Sequence, residues 1–546
     1  MAGSAKMHRA AQPRVPQVSA ILREGIPTPE VLESLAVSTL VAGTVFLIQW
    51  RYGFNWSDEG WLWYISQRAA LGQVPIRDVF SYDPGRYYWS ALVFKILHGN
   101  GLFEQIVANY LFGLLGLAAA YIALARAGVS RWLRFSSLVV LGVTLGFPRH
   151  KIFEQSLSLL AVAGIAFVMT KPAESRRWFL FGIATGLAAF IGRNSGVYFA
   201  AAGLLLFILL KLSASEVASR GALFVGWLGT VVGYSPMLFM LCAVRGFASA
   251  FYQSVLLAPT WQLSLPIPFP WHVHLKGLHG MDVMQARAVS ILCLAIPLAY
   301  VFLILRWLKF REDRSTAIQL ACAASVAGLP YLHHAFSRAD FFHIAQGTLP
   351  FVVVVCAVAN HFWLRHKRWL SLSVFGGFAA LIVAAWVPHE PAVQLMRMKN
   401  RDPRSIQRID IQGKGFYLQA PQADVMLAVQ TAFRDCGGSD GSFLAAPYYP
   451  GLYAFLNTRA PFSDTYYLWP RSDDLQRKHI QALIENRTSV VLINRDASFD
   501  NLARLRLAGT YPKLVDYILQ HYQRLDTALP EGFELYSLPQ NCRGPA

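Results

Sequence analysis

Charge is scarce in this chain. Only 15% of its 546 residues are Asp, Glu, Lys or Arg, while 55% are apolar. A soluble globular chain carries about 25% charged residues, so an ordinary water-soluble enzyme is excluded. Acidic residues are the scarcer sign: 31 Asp and Glu stand against 49 Lys and Arg, a net charge of +18. No basic–aromatic motif accompanies that excess, and no nucleic-acid partner is expected. Cysteine is rare too, with six residues and no Cys/His spacing that fits structural zinc. The opening segment, MAGSAKMHRAAQPRVPQ, lacks the short apolar core and cleavage site of a signal peptide. No internal repeat is visible, and the polar C-terminal part holds no Gly-rich phosphate loop.

What the chain does have is long apolar runs. Eleven read as membrane spans, at about 31–50, 105–125, 135–148, 155–170, 178–192, 197–212, 221–244, 287–305, 316–333, 344–362 and 369–388. A crossing takes roughly 20 residues, and tilt or local thinning serves the shorter ones. With the N-terminal tail 1–30 in the cytoplasm, every second loop is cytoplasmic. Those loops hold Arg126, Arg131 and Arg134; Lys171, Arg176 and Arg177; Lys211 and Arg220; Arg306, Lys309, Arg311 and Arg314; and Arg365, Lys367 and Arg368. This is the cationic bias that sets topology. YYWSALVFKILH (Tyr87 to His98) is too short for a twelfth span and carries Lys95, so it reads as an amphipathic helix in the outer interface.

The fold class expected is a polytopic α-helical membrane protein with a C-terminal α/β domain. The membrane part is 31–388, with outer loops at about 51–104 and 245–286, and residues 389–546 lie outside. The expected location is the bacterial inner membrane with a periplasmic C-terminal domain. In that domain SVVLINRD reads as a buried strand, LQRKHIQALIENR and LARLRLAG as helices, and GFELYSLP as a closing strand. Cys242, Cys293, Cys322 and Cys356 fall in apolar runs as packing residues. Cys436 and Cys542 are the pair available for a disulfide in an oxidising compartment.

The candidate site begins at NWSDEGWLWYISQ, Asn55 to Gln67, just beyond the first span. Trp56, Trp61, Trp63 and Tyr64 read as an interfacial aromatic belt. Ser57 is placed to cap a helix starting at Asp58, where Asp58 and Glu59 suit a first turn. The other outer ends gather more ionisable groups. Arg77, Asp78, Tyr82, Asp83 and Arg86 follow in the same loop. Arg149, His150, Lys151 and Glu154 open the second outer loop, and Arg193 and Asn194 the third. His333, His334, Arg338, Asp340 and His343 stand in HHAFSRADFFH. Ionisable groups at membrane depth usually face a cavity and carry function.

Carboxylates facing cations at a lipid surface suit sugar transfer from a polyprenyl-phosphate donor. One carboxylate takes the proton of the acceptor hydroxyl, and cations hold the charge that grows on the departing phosphate. Hydrolysis would more often use two separated carboxylates, which adjacent Asp58 and Glu59 are not.

The series SDEG, then IRD at 76–78, then YDPGRYYW at 82–89 resembles the integral-membrane glycosyltransferases of the GT-C fold. The branch it is most similar to holds protein O-mannosyltransferases and lipid A aminoarabinose transferases. Arg149 and Glu154 match that family's Arg and acidic residue five apart, and Arg193 in GLAAFIGRN stands where a Lys is common. Departures are Asp83 for a Pro, Glu154 for Asp and Arg193 for Lys. The resemblance implies an inverting transferase using a dolichyl- or undecaprenyl-phosphate hexose or pentose, with a glycan, lipid or protein acceptor. It implies Asp58 as base, with Glu59 in support or as a helix cap. The substrate-binding set is Arg77, Asp78, Tyr82, Arg86, Arg149, Lys151, Glu154, Arg193, His334 and Arg338, with Arg149, Arg193 and Lys151 as phosphate ligands. Glu154 positions the acceptor or binds a cation. No metal ligand or cofactor is assigned, although the His-rich cluster is of a kind that can hold a divalent cation. WHVHLKGLHG with its preceding LPIPFP reads as a lid or a rigid connector. The alternatives are a lipid-linked glycan flippase or transporter, which needs polar groups near the midplane, and a non-catalytic assembly protein.

Overall fold

The computed structural model describes residues 28–213, 220–257, 280–310, 315–338, 340–437, 441–498, 502–539 and 542. The tail 1–27 and most of the lid-or-connector segment lie outside the described residues. Each of the eleven predicted spans falls on a helix. Through the first half these are α1 (Thr28–Gln49), α4 (Leu102–Arg126), α5 (Arg131–Gly146), α6 (Ile152–Thr170), α7 (Ser175–Ile191), α8 (Arg193–Leu212) and the pair α9 (Arg220–Gly233) and α10 (Ser235–Ala243). Helices Met281–Lys309, Thr316–Ser337, Phe341–Leu364 and Arg368–Trp386 follow.

Among the described residues, seven helices are long and apolar enough to cross a membrane, and the α9–α10 pair, bent by 51°, makes an eighth. Helices α5 and α7 have 16 and 17 residues. At 1.5 Å per residue they rise about 24–26 Å, short of a hydrocarbon core of about 30 Å. Helix Thr316–Ser337 has the length, but its C-terminal end carries Pro330, His333 and His334. The segment Tyr87–His98 is the body of α3 (Gly85–Leu97), which is not among the candidate spans.

Helix α4 packs against α1, α5 and α6. It carries a buried polar ladder up one face: Gln105 donates to Asn109 at 2.8 Å, and Asn109 donates to the Arg149 carbonyl at 3.2 Å. This one-turn spacing ties the α5–α6 turn to the bundle and fixes where Arg149 leaves it. Between α1 and α3 stands the short helix α2 (Asp58–Ala70).

The C-terminal part opens with a hairpin, β1 (Ile406–Ile411) and β2 (Lys414–Gln419), turned at Gln412 and Gly413, both of positive φ. That twist suits a two-residue hairpin turn. A four-stranded sheet follows in the order β3-β4-β6-β5, from β3 (Ser442–Ala446), β4 (Thr488–Asn494), β5 (Gln523–Arg524) and β6 (Phe533–Ser537). Strand β4 is buried along its whole length, as a central apolar strand must be. LQRKHIQALIE lies in helix Asp473–Glu485, and the closing strand is β6. LARLRLAG departs from expectation: it is a short turn at Ala503–Leu505 and a single turn at Leu507–Thr510. Leu505 and Leu507 are both buried across an extended Arg506. Alternate residues face one way in extended chain and not in a helix. Cys436 and Cys542 form a disulfide.

The aromatic belt is not a belt. Trp61, Trp63 and Tyr64 are almost fully buried. The C-terminal domain sits on them: Tyr64 packs on Tyr453 and accepts the Ala460 amide at 2.9 Å, and Trp56 packs on Tyr449 and Phe533. Rings that would suit a headgroup layer here form an interdomain core. The first loop also joins β2, since the Tyr417 amide donates to the Arg51 carbonyl and the Gly53 amide to the Tyr417 carbonyl.

Candidate active site

Asp58 and Glu59 begin α2, and consecutive helix residues point about 100° apart. That angle gives the two carboxylates opposite fates. Glu59 turns inward and is 3% exposed; its oxygens meet Arg149 Nε at 2.9 Å and Nη2 at 3.0 Å. Arg149 is equally buried and gives a further hydrogen bond to the Gly53 carbonyl at 2.6 Å. Gly53 holds a φ of +69°, where a Cβ would also strike Pro391. Asp58 turns outward and is half exposed. Tyr448 of the C-terminal domain donates its hydroxyl to Asp58 Oδ1 at 3.1 Å, and His150 Nε2 stands 3.7 Å from Oδ2. The helix is capped by Asn55, whose side-chain oxygen accepts the amides of Ser57 and Asp58, and not by Ser57. The Ser57 hydroxyl is drawn away to the Tyr448 carbonyl at 2.9 Å.

The cations form one cluster around this point. Arg86, on α3, pairs with Glu154 on α6 at 2.7 Å and donates to the Ile191 carbonyl at 3.0 Å. Burial alone would weaken the Arg86 charge, but the Glu154 carboxylate, with Asp83, more than reverses this and holds the guanidinium protonated. Arg193 opens α8, and Asp83 accepts its amide at 2.8 Å and its Nε at 3.2 Å. Lys151 lies next to His150, and its ammonium forms no hydrogen bond or ion pair among the described residues. It is close enough to act electrostatically on Glu154, His150 and His334. His333 meets the Tyr198 hydroxyl at 3.0 Å, and His343 meets Asp340 at 2.7 Å. Burial would raise the Asp340 carboxyl, but its hydrogen bonds from His343 and the Arg338 charge hold it below the usual range. Among the described residues no group of three or more His, Cys, Asp or Glu is placed to hold a metal ion.

A cavity of about 180 Å³ opens between the helical part and the C-terminal domain, lined by Asn55, Glu59, Arg149, His150, Gln394 and Gln422 among others. A larger one, about 480 Å³, is mostly apolar and lies at the far end of the helices around Arg306 and Arg365. None of the carboxylates above lines it. The smaller cavity is lined by the Glu59–Arg149 pair and by His150, while Asp58, Lys151 and Arg193 stand outside its lining.

No protein-family model and no curated protein matches the chain. Solved structures do. ArnT from Cupriavidus metallidurans in the apo state matches with a TM-score of 0.51 at 12% identity, over 95% of this chain and 99% of that one. The chain has the GT-C fold. ArnT bound to undecaprenyl phosphate matches at 0.48 with 13% identity, over 95% and 100% of the two chains. The oligosaccharyltransferase of Archaeoglobus fulgidus in its apo form matches at 0.48 with 11% identity, over 94% of this chain and 75% of that one.

In this GT-C chain the fold gathers Asp58, Glu59, Tyr82, Arg86, Arg149, Lys151, Glu154, Arg193, His334 and Arg338 into one region. Tyr82 stands with its ring against Trp61 and under Arg86. Tyr466 of the C-terminal domain feels the charges of both Asp58 and Arg338. Arg77 and Asp78 stand apart from it. They pair with each other at 2.8 Å, Asp78 accepts the Val74 amide at 2.7 Å, and Arg77 reaches the Arg245 carbonyl at 3.2 Å. Their hydrogen bond holds the Asp78 carboxyl below its usual range, as a pair that closes a loop. Arg149 and Glu59 spend their hydrogen bonds on each other, which suits an anchor better than a ligand for phosphate. Sequence reasoning misses Tyr448 altogether and gives His150 no role beyond its place in the second outer loop. Nothing local marks Tyr448 in APYYPG, because its partner lies 390 positions away.

Proposed function

We propose that this chain transfers a hexose or pentose from a polyprenyl-phosphate donor to an acceptor hydroxyl on the extracytoplasmic face of the membrane. All eleven predicted spans cross in this reading, and the outer domain faces the periplasm. The observation that carries it is Asp58: a half-exposed carboxylate at a helix N-terminus, beside a cluster that holds the uncommitted Lys151 ammonium. The GT-C fold and the SDEG, IRD and YDPG series support the same reading.

In the reaction, Asp58 Oδ2 takes the proton of the acceptor hydroxyl as its oxygen bonds to the anomeric carbon. The bond from that carbon to the phosphate oxygen breaks, and the electron pair leaves with the polyprenyl phosphate. Lys151 and the partly exposed Arg193 hold the charge that develops there. Attack opposite the leaving group inverts the anomeric centre. Asp83 sets the position of Arg193, and Arg86 holds Glu154 in place.

The test is mass spectrometry of polyprenyl-linked sugars and envelope glycans in a deletion strain. A lipid-linked hexose or pentose should accumulate while one envelope glycan, lipid or protein loses that sugar. Unchanged lipid-linked sugars and unchanged envelope sugars would refute the reading.

A further inference from the structure

We infer that the outer domain completes the active site and that Tyr448 is a positioning residue for Asp58; this rests on Asp58 being the base. The contact is built from both sides. On the membrane side, the Trp56 carbonyl accepts the Gly451 amide at 2.9 Å, and the Ser57 hydroxyl donates to the Tyr448 carbonyl at 2.9 Å. Two residues beyond Asp58, Gly60 of α2 meets Gly451 so closely that a Cβ would lie 2.6 Å from the Gly451 backbone. On the outer side, Tyr448 is buried and its ring rests on Tyr466 at 4.2 Å between centroids. The backbones on either side of the Tyr448–Asp58 hydrogen bond are therefore locked together. The bond joins the tip of one to the tip of the other.

Its chemical effect follows from which oxygen it takes. Tyr448 holds Oδ1 at 3.1 Å, while Oδ2 remains beside His150 at 3.7 Å. A half-exposed Asp side chain turns freely about its bonds. One donor on Oδ1 selects the orientation in which Oδ2 faces the acceptor. Such placement governs rate when a proton moves in the transition state. A tyrosine is well suited to this positioning, because its hydroxyl reaches from a rigid ring and the ring is already immobilised by packing. The outer domain thus contributes a group to the site instead of merely covering it.

The test uses the full chain in phospholipid nanodiscs. The donors are a panel of undecaprenyl-phosphate-linked hexoses and pentoses, and the acceptor is the envelope extract of the deletion strain. Tyr448→Phe keeps the ring on Tyr466 and removes only the hydroxyl. It should lower kcat about 10–100-fold, the scale on which misplacing a reacting group costs rate, with the donor KM unchanged. Asp58→Asn alone, and both changes together, complete a cycle. In the Asp58→Asn background, Tyr448→Phe should have no further effect, because there is no base left to orient. Normal transfer by Asp58→Asn would refute the base reading itself. Impaired Asp58→Asn with wild-type rates for Tyr448→Phe would overturn the positioning role alone. An equal loss from Tyr448→Phe in both backgrounds would also overturn it, since a structural defect acts whether or not the base is present.

Discussion

Exchanging either of two adjacent carboxylates for its amide should have opposite consequences. Glu59→Gln removes the charge that faces Arg149 where both side chains are at most 4% exposed. The guanidinium then stays buried with only neutral acceptors, the new amide oxygen and the carbonyls of Gly53, Gln49 and Tyr52, and no counter-charge in contact. Breaking a buried pair by removing one partner costs about 3–5 kcal/mol, because the remaining charge cannot reach water. Tm in detergent should fall accordingly, and activity should fall only as folded protein is lost. The double variant Glu59→Leu with Arg149→Met should recover part of that stability, since it removes the stranded charge. Asp58→Asn should leave stability within about 0.5 kcal/mol of wild type, as expected for a half-exposed side chain. Yet transfer should drop by about 10²–10⁴-fold, the range for loss of a general base. Thermal melts and transfer rates on the same preparations separate the two. A Glu59→Gln protein as stable as wild type would refute the anchoring role. An Asp58→Asn protein as destabilised as Glu59→Gln would refute the division of labour.

Other outcomes follow from other parts of the molecule. Glu390, just past the last apolar helix, accepts a hydrogen bond from Gln49. Burial pushes its carboxyl up to about 8, against a smaller pull from Arg149. The folded chain keeps this proton between the ordinary value of 4.5 and about 8, where the unfolded chain has lost it, so stability falls as pH rises through that window. Melts at pH 5 and pH 8 should show a larger loss for wild type than for Glu390→Gln, and parallel losses would refute this origin. Cys436→Ser opens the bridge to Cys542 and should cost the outer domain about 2–4 kcal/mol, read as faster proteolysis there with the membrane part intact. Gly60→Ala places a methyl against the Gly451 backbone and should loosen the outer domain from α2, seen as new protease cleavage between residues 446 and 470.

Some of this was legible without coordinates. Apolar runs and cationic loops follow from the cost of taking charge and unpaired backbone into lipid, so the positions of the apolar helices and the polar end of the chain could be read directly. In the C-terminal part the apolar run VVLI marked β4 as a buried strand, and the alternation of helix and strand patterns led to β6 as the closing strand. The candidate residues were legible as a set, because ionisable groups at span ends are rare enough to stand out. Their division was not. Asp58 and Glu59 are neighbours in sequence and become candidate base and anchor only because α2 turns about 100° between them and Arg149 arrives from the α5–α6 turn. Arg77 and Arg86 looked alike in one loop; one finds its acid next door and the other finds Glu154 across the bundle. The tryptophans around Asp58 suited a lipid interface by composition and became an interdomain core because the outer domain docks on them. Tyr448 could not be found at all. A hydrogen bond between residues 390 apart leaves no local pattern, and it forms only because tertiary packing, Gly60 on Gly451 among its contacts, brings the two parts of the chain together.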